Sequence, residues 1–112
     1  MDDANLKKYY RIREVAEMLD VPLSTLRYWE QEFPSIRPKR GAKGTRLYTA
    51  NDIERTRMIH FLLKVKGLKI DAAKAQINNN PSGVARQAAA VERLLKIRDE
   101  LQGMLTAATR RR

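Results

Sequence analysis

Cysteine is absent from the 112 residues. Disulfides, thiolate metal sites, iron–sulfur ligation and cysteine nucleophiles go with it. A single histidine, His60, cannot build a multi-histidine metal site and leaves a histidine-based triad no spare ring. Long apolar runs are also lacking. The longest is Ala88-Ala89-Ala90-Val91, against about 20 residues for a membrane span, and the acidic start Met1-Asp2-Asp3 does not resemble a secretory leader. No phosphate loop and no nucleophile–base pair is visible. These absences predict a soluble cytoplasmic protein that is not an enzyme, holds no cofactor or metal and has no membrane partner. Acidic residues are in deficit, 13 against 23 Lys and Arg, for a net charge of +10. Such a field draws polyanions, nucleic acid first and an anionic membrane surface second.

What is present is helical pattern broken at intervals. Residues 1–8 are polar and aperiodic, a flexible arm. From Tyr10 the pattern turns helical, with Ile12, Val15, Ala16 and Leu19 in one apolar stripe and Arg13, Glu14 and Glu17 outside it. Asp20-Val21-Pro22 interrupts, because a residue before proline is pushed away from helical angles. Pro22 then suits the first turn of a second helix that runs to about Phe33 and is stopped by Pro34. Two short helices joined by a tight turn have helix-turn-helix dimensions. Wound at 100° per residue, the second helix puts Leu26, Trp29 and Phe33 on one side and Ser24, Arg27, Tyr28 and Gln31 on the other. The first set suits packing on the stripe of the preceding helix. The second resembles the face by which major-groove readers contact bases, although a solvated polar face has the same composition.

Within residues 37–49 stand Arg37, Lys39, Arg40, Lys43 and Arg46 with no acid among them, punctuated by Gly41 and Gly44. Leu47 between Arg46 and Tyr48 alternates as in a short strand. The segment reads as a two-stranded ribbon with a basic tip, a wing whose cations supply sequence-independent affinity for phosphates. Thr49 or Asn51 caps the next helix, with Asp52 and Glu54 in its first turn, and it continues through Ile59, Leu62 and Leu63 to Lys66, with Gly67 beyond its end. Ile70 to Ile77 make another short helix, Asp71 near its start. Asp52, Glu54 and Asp71 are thus explained by capping rather than catalysis, and His60 by a boundary position.

Asn78 to Gly83 break the pattern, and a last helix begins near Ser82. In it Ala90, Leu94, Ile97, Leu101, Met104 and Ala108 step by four and three, a short a/d seam widened by Val91, Leu95 and Leu105. An apolar seam on a helix of about 39 Å needs a cover. The same helix of a second copy provides one through a two-fold dimer, and folding back on its own domain is the other solution. Arg110-Arg111-Arg112 is a basic tail.

The strings Tyr10-Arg-Ile-Arg-Glu-Val-Ala16 and Val21-Pro-Leu-Ser-Thr25-Leu26-Arg27-Tyr28-Trp29-Glu30 resemble the N-terminal signature of MerR-family transcriptional regulators. Gly44-Thr-Arg46-Leu-Tyr48-Thr49 with Asp52-Ile53, then Ile59 through Ile70, is similar to that family's wing and second helical pair. The resemblance covers residues 9–77, and the last helix matches the family's dimerisation helix in place and character. It implies a mainly α chain: a winged helix-turn-helix DNA-binding domain over 9–80, a dimerisation helix over 82–109 pairing as an antiparallel coiled coil, and a tail at 110–112. A short form without a C-terminal effector-binding domain is the expected type. The implied function is regulation of transcription by a homodimer on pseudo-palindromic promoter double-stranded DNA, with DNA distortion, nucleoid association and RNA polymerase as a further partner at the promoter.

By the same resemblance Arg27 and Tyr28 lie where the family contacts DNA from its recognition helix, and Arg46 and Tyr48 lie on wing positions near phosphate or the minor groove. The expected DNA contacts are Arg13, Ser24, Thr25, Arg27, Tyr28, Lys39, Arg40, Lys43, Arg46 and Tyr48. The expected dimer contacts are Ala90, Leu94, Ile97, Leu101, Met104 and Leu105. Three departures matter. Asp20 replaces a usual turn glycine, which Asp tolerates because it adopts left-handed angles. Thr45 replaces a common wing tyrosine. The cysteines of metal- and redox-sensing members are missing. Two other readings stay open: an architectural, excisionase-like or chromosome-organising DNA binder, and a module whose last helix pairs with a different protein.

Overall fold

The computed structural model describes residues 9–41 and 44–110. Strand β1 (Tyr10–Arg11) leads into α1 (Ile12–Leu19), then α2 (Leu23–Glu32), β2 (Lys39–Arg40), β3 (Arg46–Tyr48), α3 (Ala50–His60), a π-helical turn (Phe61–Val65), α4 (Ile70–Asn79) and α5 (Pro81–Arg110). The described residues are mainly helical, 74% helix with one small sheet. Local chemistry accounts for most boundaries. Arg11 N–H donates to the Glu14 carboxylate at 2.9 Å across the start of α1. Asp20 ends that helix in the left-handed region, φ 56° and ψ 48°, as its short polar side chain allows. Pro22 precedes α2, its carbonyl accepting from Thr25 and Leu26. Thr49 caps α3: its hydroxyl accepts from Asp52 N–H at 3.2 Å, while the Asp52 carboxylate accepts from Thr49 N–H at 3.0 Å, the reciprocal pattern of a capping box.

The sheet has the order β1-β3-β2 and is antiparallel throughout. Tyr10 pairs with Tyr48 and Arg11 with Leu47 on one side; Lys39 pairs with Leu47 and Arg40 with Arg46 on the other. Two expectations are corrected here. Tyr10 and Arg11 extend as a strand rather than open the first helix, and the ribbon gains them as a third strand. The basic tip is in part outside the described residues, Lys43 with it.

One core joins all layers. Ile12, Val15, Ala16 and Leu19 of α1 meet Leu26 and Trp29 of α2, with Phe33, Ile36, Tyr48, Ile53, Ile59, Phe61 and Leu62. The expected division of α2 holds: Leu26 and Trp29 are buried while Ser24, Arg27 and Tyr28 are exposed. After His60 the helix widens. Lys66 N–H reaches back to the Phe61 carbonyl, five residues away, and Leu68 N–H to that of Leu62, with Gly67 at φ 72° closing the turn. The sequence pattern predicts a continuous α-helix through Lys66, but the inserted π turn buries Phe61 and Leu62 together and leaves Val65 exposed.

Asn80 starts α5 by accepting from Gly83 N–H at 3.1 Å, and Pro81 takes the first helical position. A Cβ on Gly83 would lie 2.7 Å from the Asn80 Cγ, so a larger residue there would have to push the Asn80 amide aside. The helix is about 45 Å long at 1.5 Å per residue and has two apolar faces. Val84, Ala88, Val91 and Leu95, at i, i+4, i+7 and i+11, turn toward α3 and α4. The seam lies roughly 130° round the helix from them, so Val91 and Leu95, expected to widen the seam, instead line a groove with Met18, His60 and Val65. Leu94, Leu101, Met104 and Leu105 are 60 to 66% exposed and Ile97 is 45% exposed. Among the described residues nothing folds back to cover this seam.

Candidate nucleic-acid interface

The polar face of α2 and the wing are held together by one carboxylate. Glu30 sits one turn after Leu26, its side chain only 10% exposed. It takes the Arg46 Nε at 2.7 Å and accepts the Tyr48 hydroxyl at 2.5 Å. Both partners belong to β3. At the start of α3, Asp52 is buried yet fully used. Besides the cap, it accepts from Arg37 N–H at 3.2 Å, tying the chain that enters β2 to the start of α3. No buried side-chain polar atom among the described residues is left without a partner.

These contacts decide where the expected DNA contacts stand. Ser24, Arg27 and Tyr28 are exposed on α2, Thr25 is half-buried beside them, and Arg13 is exposed on α1. Lys39 and Arg40 are exposed on β2, with the Lys39 ammonium 5.6 Å from the centre of the Tyr9 ring. Lys43 lies outside the described residues. Tyr48 is a correction. Its side chain is wholly buried, and burial with the adjacent Glu30 carboxylate pushes its phenol well above the ordinary range. It is a neutral core donor that cannot reach a phosphate. Arg46 is corrected in part: it is half-exposed, but its guanidinium is already paired with Glu30. Glu30 is the residue that sequence reasoning left without a role. The one acid closing the string Thr25–Glu30, next to a wing rich in cations, was the available signal.

Behind the reading face, Trp29 meets His60 edge-on, ring centres 6.1 Å apart. His60 also lines a groove of about 340 Å³ with Met18, Val65, Ala88 and Leu95, crossed by an ion pair between Arg57 and Glu92. Burial, then the Lys64 and Arg57 charges, lower the His60 pKa from 6.5, against a smaller opposing pull from Asp20. With the folded value depressed, the unfolded chain takes the proton first. Stability should therefore be full above about pH 6.5 and fall as pH drops through the unfolded and then the folded value. Melting scans between pH 7.5 and 5.5 should show that loss in the wild type and little of it in His60→Gln. Equal losses would place the titration elsewhere.

The side chains of Arg13, Arg27, Tyr28 and Arg40 have no hydrogen bond or ion pair among the described residues, so the exposed donors of α1, α2 and β2 are available to a partner. Acid clusters suited to a metal are absent among the described residues, and no helix there is long and apolar enough to cross a membrane.

Comparison with known proteins agrees with this geometry. Residues 10–79 match the family described as MerR HTH family regulatory protein. The HTH-type transcriptional repressor CarA of Myxococcus xanthus is 33% identical over 72 residues, 63% of this chain. The chain spans about a quarter of that repressor's length, 25%. Among solved structures, a MerR-family transcriptional regulator from Bacillus cereus superposes with a TM-score of 0.56 at 24% identity, over 88% of this chain and 75% of that one. Another from Bacillus thuringiensis gives 0.52 at 23% identity, over 93% and 99%. HiNmlR, a MerR family regulator lacking the sensor domain and bound to promoter DNA, gives 0.52 at 19% identity, over 90% and 93%. At these identities the likeness of the solved structures is one of fold.

Proposed function

Because the chain belongs to the MerR HTH family of regulatory proteins, we propose that it is a homodimeric, sequence-specific transcriptional regulator acting on pseudo-palindromic promoter DNA. Residues 9–80 form the DNA-binding unit and residues 82–109 the dimerisation helix. The observation that carries this reading is the split of α2, which buries Leu26 and Trp29 and leaves Ser24, Arg27 and Tyr28 exposed, while Lys39 and Arg40 stand exposed on β2. A helix anchored on one side and furnished with donors, a guanidinium and a phenol on the other fits a major groove. Lys39 and Arg40 hold the flanking backbone. The unpartnered seam supplies the two-fold: paired antiparallel, Leu94, Ile97, Leu101, Met104 and Leu105 cover one another, and the two reading helices address two half-sites. Distortion of the DNA between half-sites, and contact with RNA polymerase at the promoter, belong to the same proposal.

The division of labour is tested by two substitutions. Tyr28→Ala should cost about 1–3 kcal/mol on the true site and little on random DNA. Arg40→Ala should weaken every sequence alike and flatten the salt slope by about 0.9 for each phosphate that is no longer neutralised. Equal losses for both variants on random DNA would contradict it.

A further inference from the structure

Glu30 has no place in a simple set of DNA contacts: it is an acid, nearly buried, beneath a surface whose use is to attract an anion. Its position explains it. The Arg46 Nε and the Tyr48 hydroxyl occupy its two oxygens, so a single carboxylate joins the C-terminal half of α2 to β3. Strand β3 in turn carries β2 through the Arg40–Arg46 and Lys39–Leu47 pairs. Between helix and wing the chain runs through residues 33–38, held by the buried Phe33 and Ile36, by the turn bond from Ile36 N–H to the Phe33 carbonyl and by Arg37 N–H on Asp52; none of these contacts ties the side chains of α2 to β3.

We propose that Glu30 is a positioning residue for DNA recognition. It sets the angle between the reading helix and the wing, and it holds the half-exposed Arg46 by its Nε against α2 rather than on a phosphate. Arg27 and Tyr28 then meet the bases in the register that Lys39 and Arg40 set on the backbone. Specificity depends on that register, whereas sequence-independent affinity does not. This inference rests on the DNA-binding reading above.

The test uses the full chain as wild type, Glu30→Gln, Arg46→Gln and the double variant. Glutamine still offers the Tyr48 hydroxyl a partner, so no buried group is orphaned, and a melting scan verifies the fold. Hydrogen exchange without DNA reads the lock directly. Faster exchange at the β2–β3 amides of Glu30→Gln, with α1 and α3 unchanged, is expected; unaltered wing protection overturns the inference whether or not the protein binds DNA. Binding to an operator duplex and a random duplex is then followed across a salt series. Glu30→Gln should lose about tenfold or more in the operator-to-random ratio and steepen the salt slope by about 0.9, as the released Arg46 reaches a phosphate. Arg46→Gln should lower the ratio similarly without changing the slope, and the double variant should match the single ones in the ratio, as coupled residues do, and Arg46→Gln in the slope. Additive losses, or a shallower slope in Arg46→Gln alone, overturn the inference, because Arg46 would then grip phosphate in the wild type. A wild type that retains no DNA overturns the regulatory reading instead, and the exchange result still decides whether the lock exists.

Discussion

Replacing Ile97 and Leu101 together by glutamate is expected to turn the proposed dimer into a 12.9 kDa monomer and to lower operator affinity by about 10²–10⁴, the advantage of engaging two half-sites at once. The reasoning starts from exposure. Ile97 is 45% and Leu101 60% exposed within one chain, so neither supports its own domain. Their change should leave domain stability within about 0.5 kcal/mol. In a paired seam each is covered by the other copy, and burying such a side chain contributes about 1.5–3 kcal/mol. Charges placed there in both chains remove that contribution and set like charges against each other. Sedimentation equilibrium reads the mass, and titration on an inverted repeat reads the affinity. A variant that stays dimeric would mean that another surface joins the copies. One that becomes monomeric with unchanged affinity would mean that the half-sites are not bound together.

Trp29→Ala carries the largest expected effect on stability. The ring is 2% exposed, lies between the α1 stripe and the core, and meets His60 edge-on at 6.1 Å. Truncating a buried aromatic costs about 3–5 kcal/mol, since the cavity closes only in part. For a domain of this size each kcal/mol lowers Tm by about 4–8 °C, so the variant should melt at least roughly 12 °C lower. Tyr28, its neighbour in sequence, is 49% exposed, and Tyr28→Ala should scarcely move Tm while it weakens operator binding. Thermal unfolding and DNA titration of the same two proteins separate the roles. If Tyr28→Ala were the variant that unfolds, the facing of α2 would be inverted.

That facing was legible from the sequence because a helix is a local object. Winding Leu26, Trp29 and Phe33 against Ser24, Arg27 and Tyr28 needs only the 100° step, and the helix-end chemistry of Asp20 and Thr49 needs only neighbours within four residues. The exposed seam of α5 was legible for the same reason. What the sequence hid depends on partners far along the chain. Alternation over Arg46-Leu47-Tyr48 puts Arg46 and Tyr48 on one side of a strand, and they do share it, but nothing in the alternation says that this side turns inward to Glu30. A carboxylate 16 and 18 residues earlier in the chain decides that. Tyr10 and Arg11 are extended only because β3 offers a ladder, and two residues are too few to announce a strand by pattern. The π turn at Phe61–Val65 leaves an apolar sequence that reads equally well as ordinary α-helix; only the hydrogen bond from Lys66 to Phe61 distinguishes them.

The most direct test of the central claim is selection from a randomised double-stranded DNA pool, followed by sequencing, at a fixed near-physiological salt concentration. The proposed reading helix, wing and two-fold seam predict enrichment of one inverted repeat, with half-sites at a constant spacing. A pool that stays flat while the protein retains DNA in a strongly salt-dependent way would contradict a sequence-reading regulator and make the chain an architectural binder.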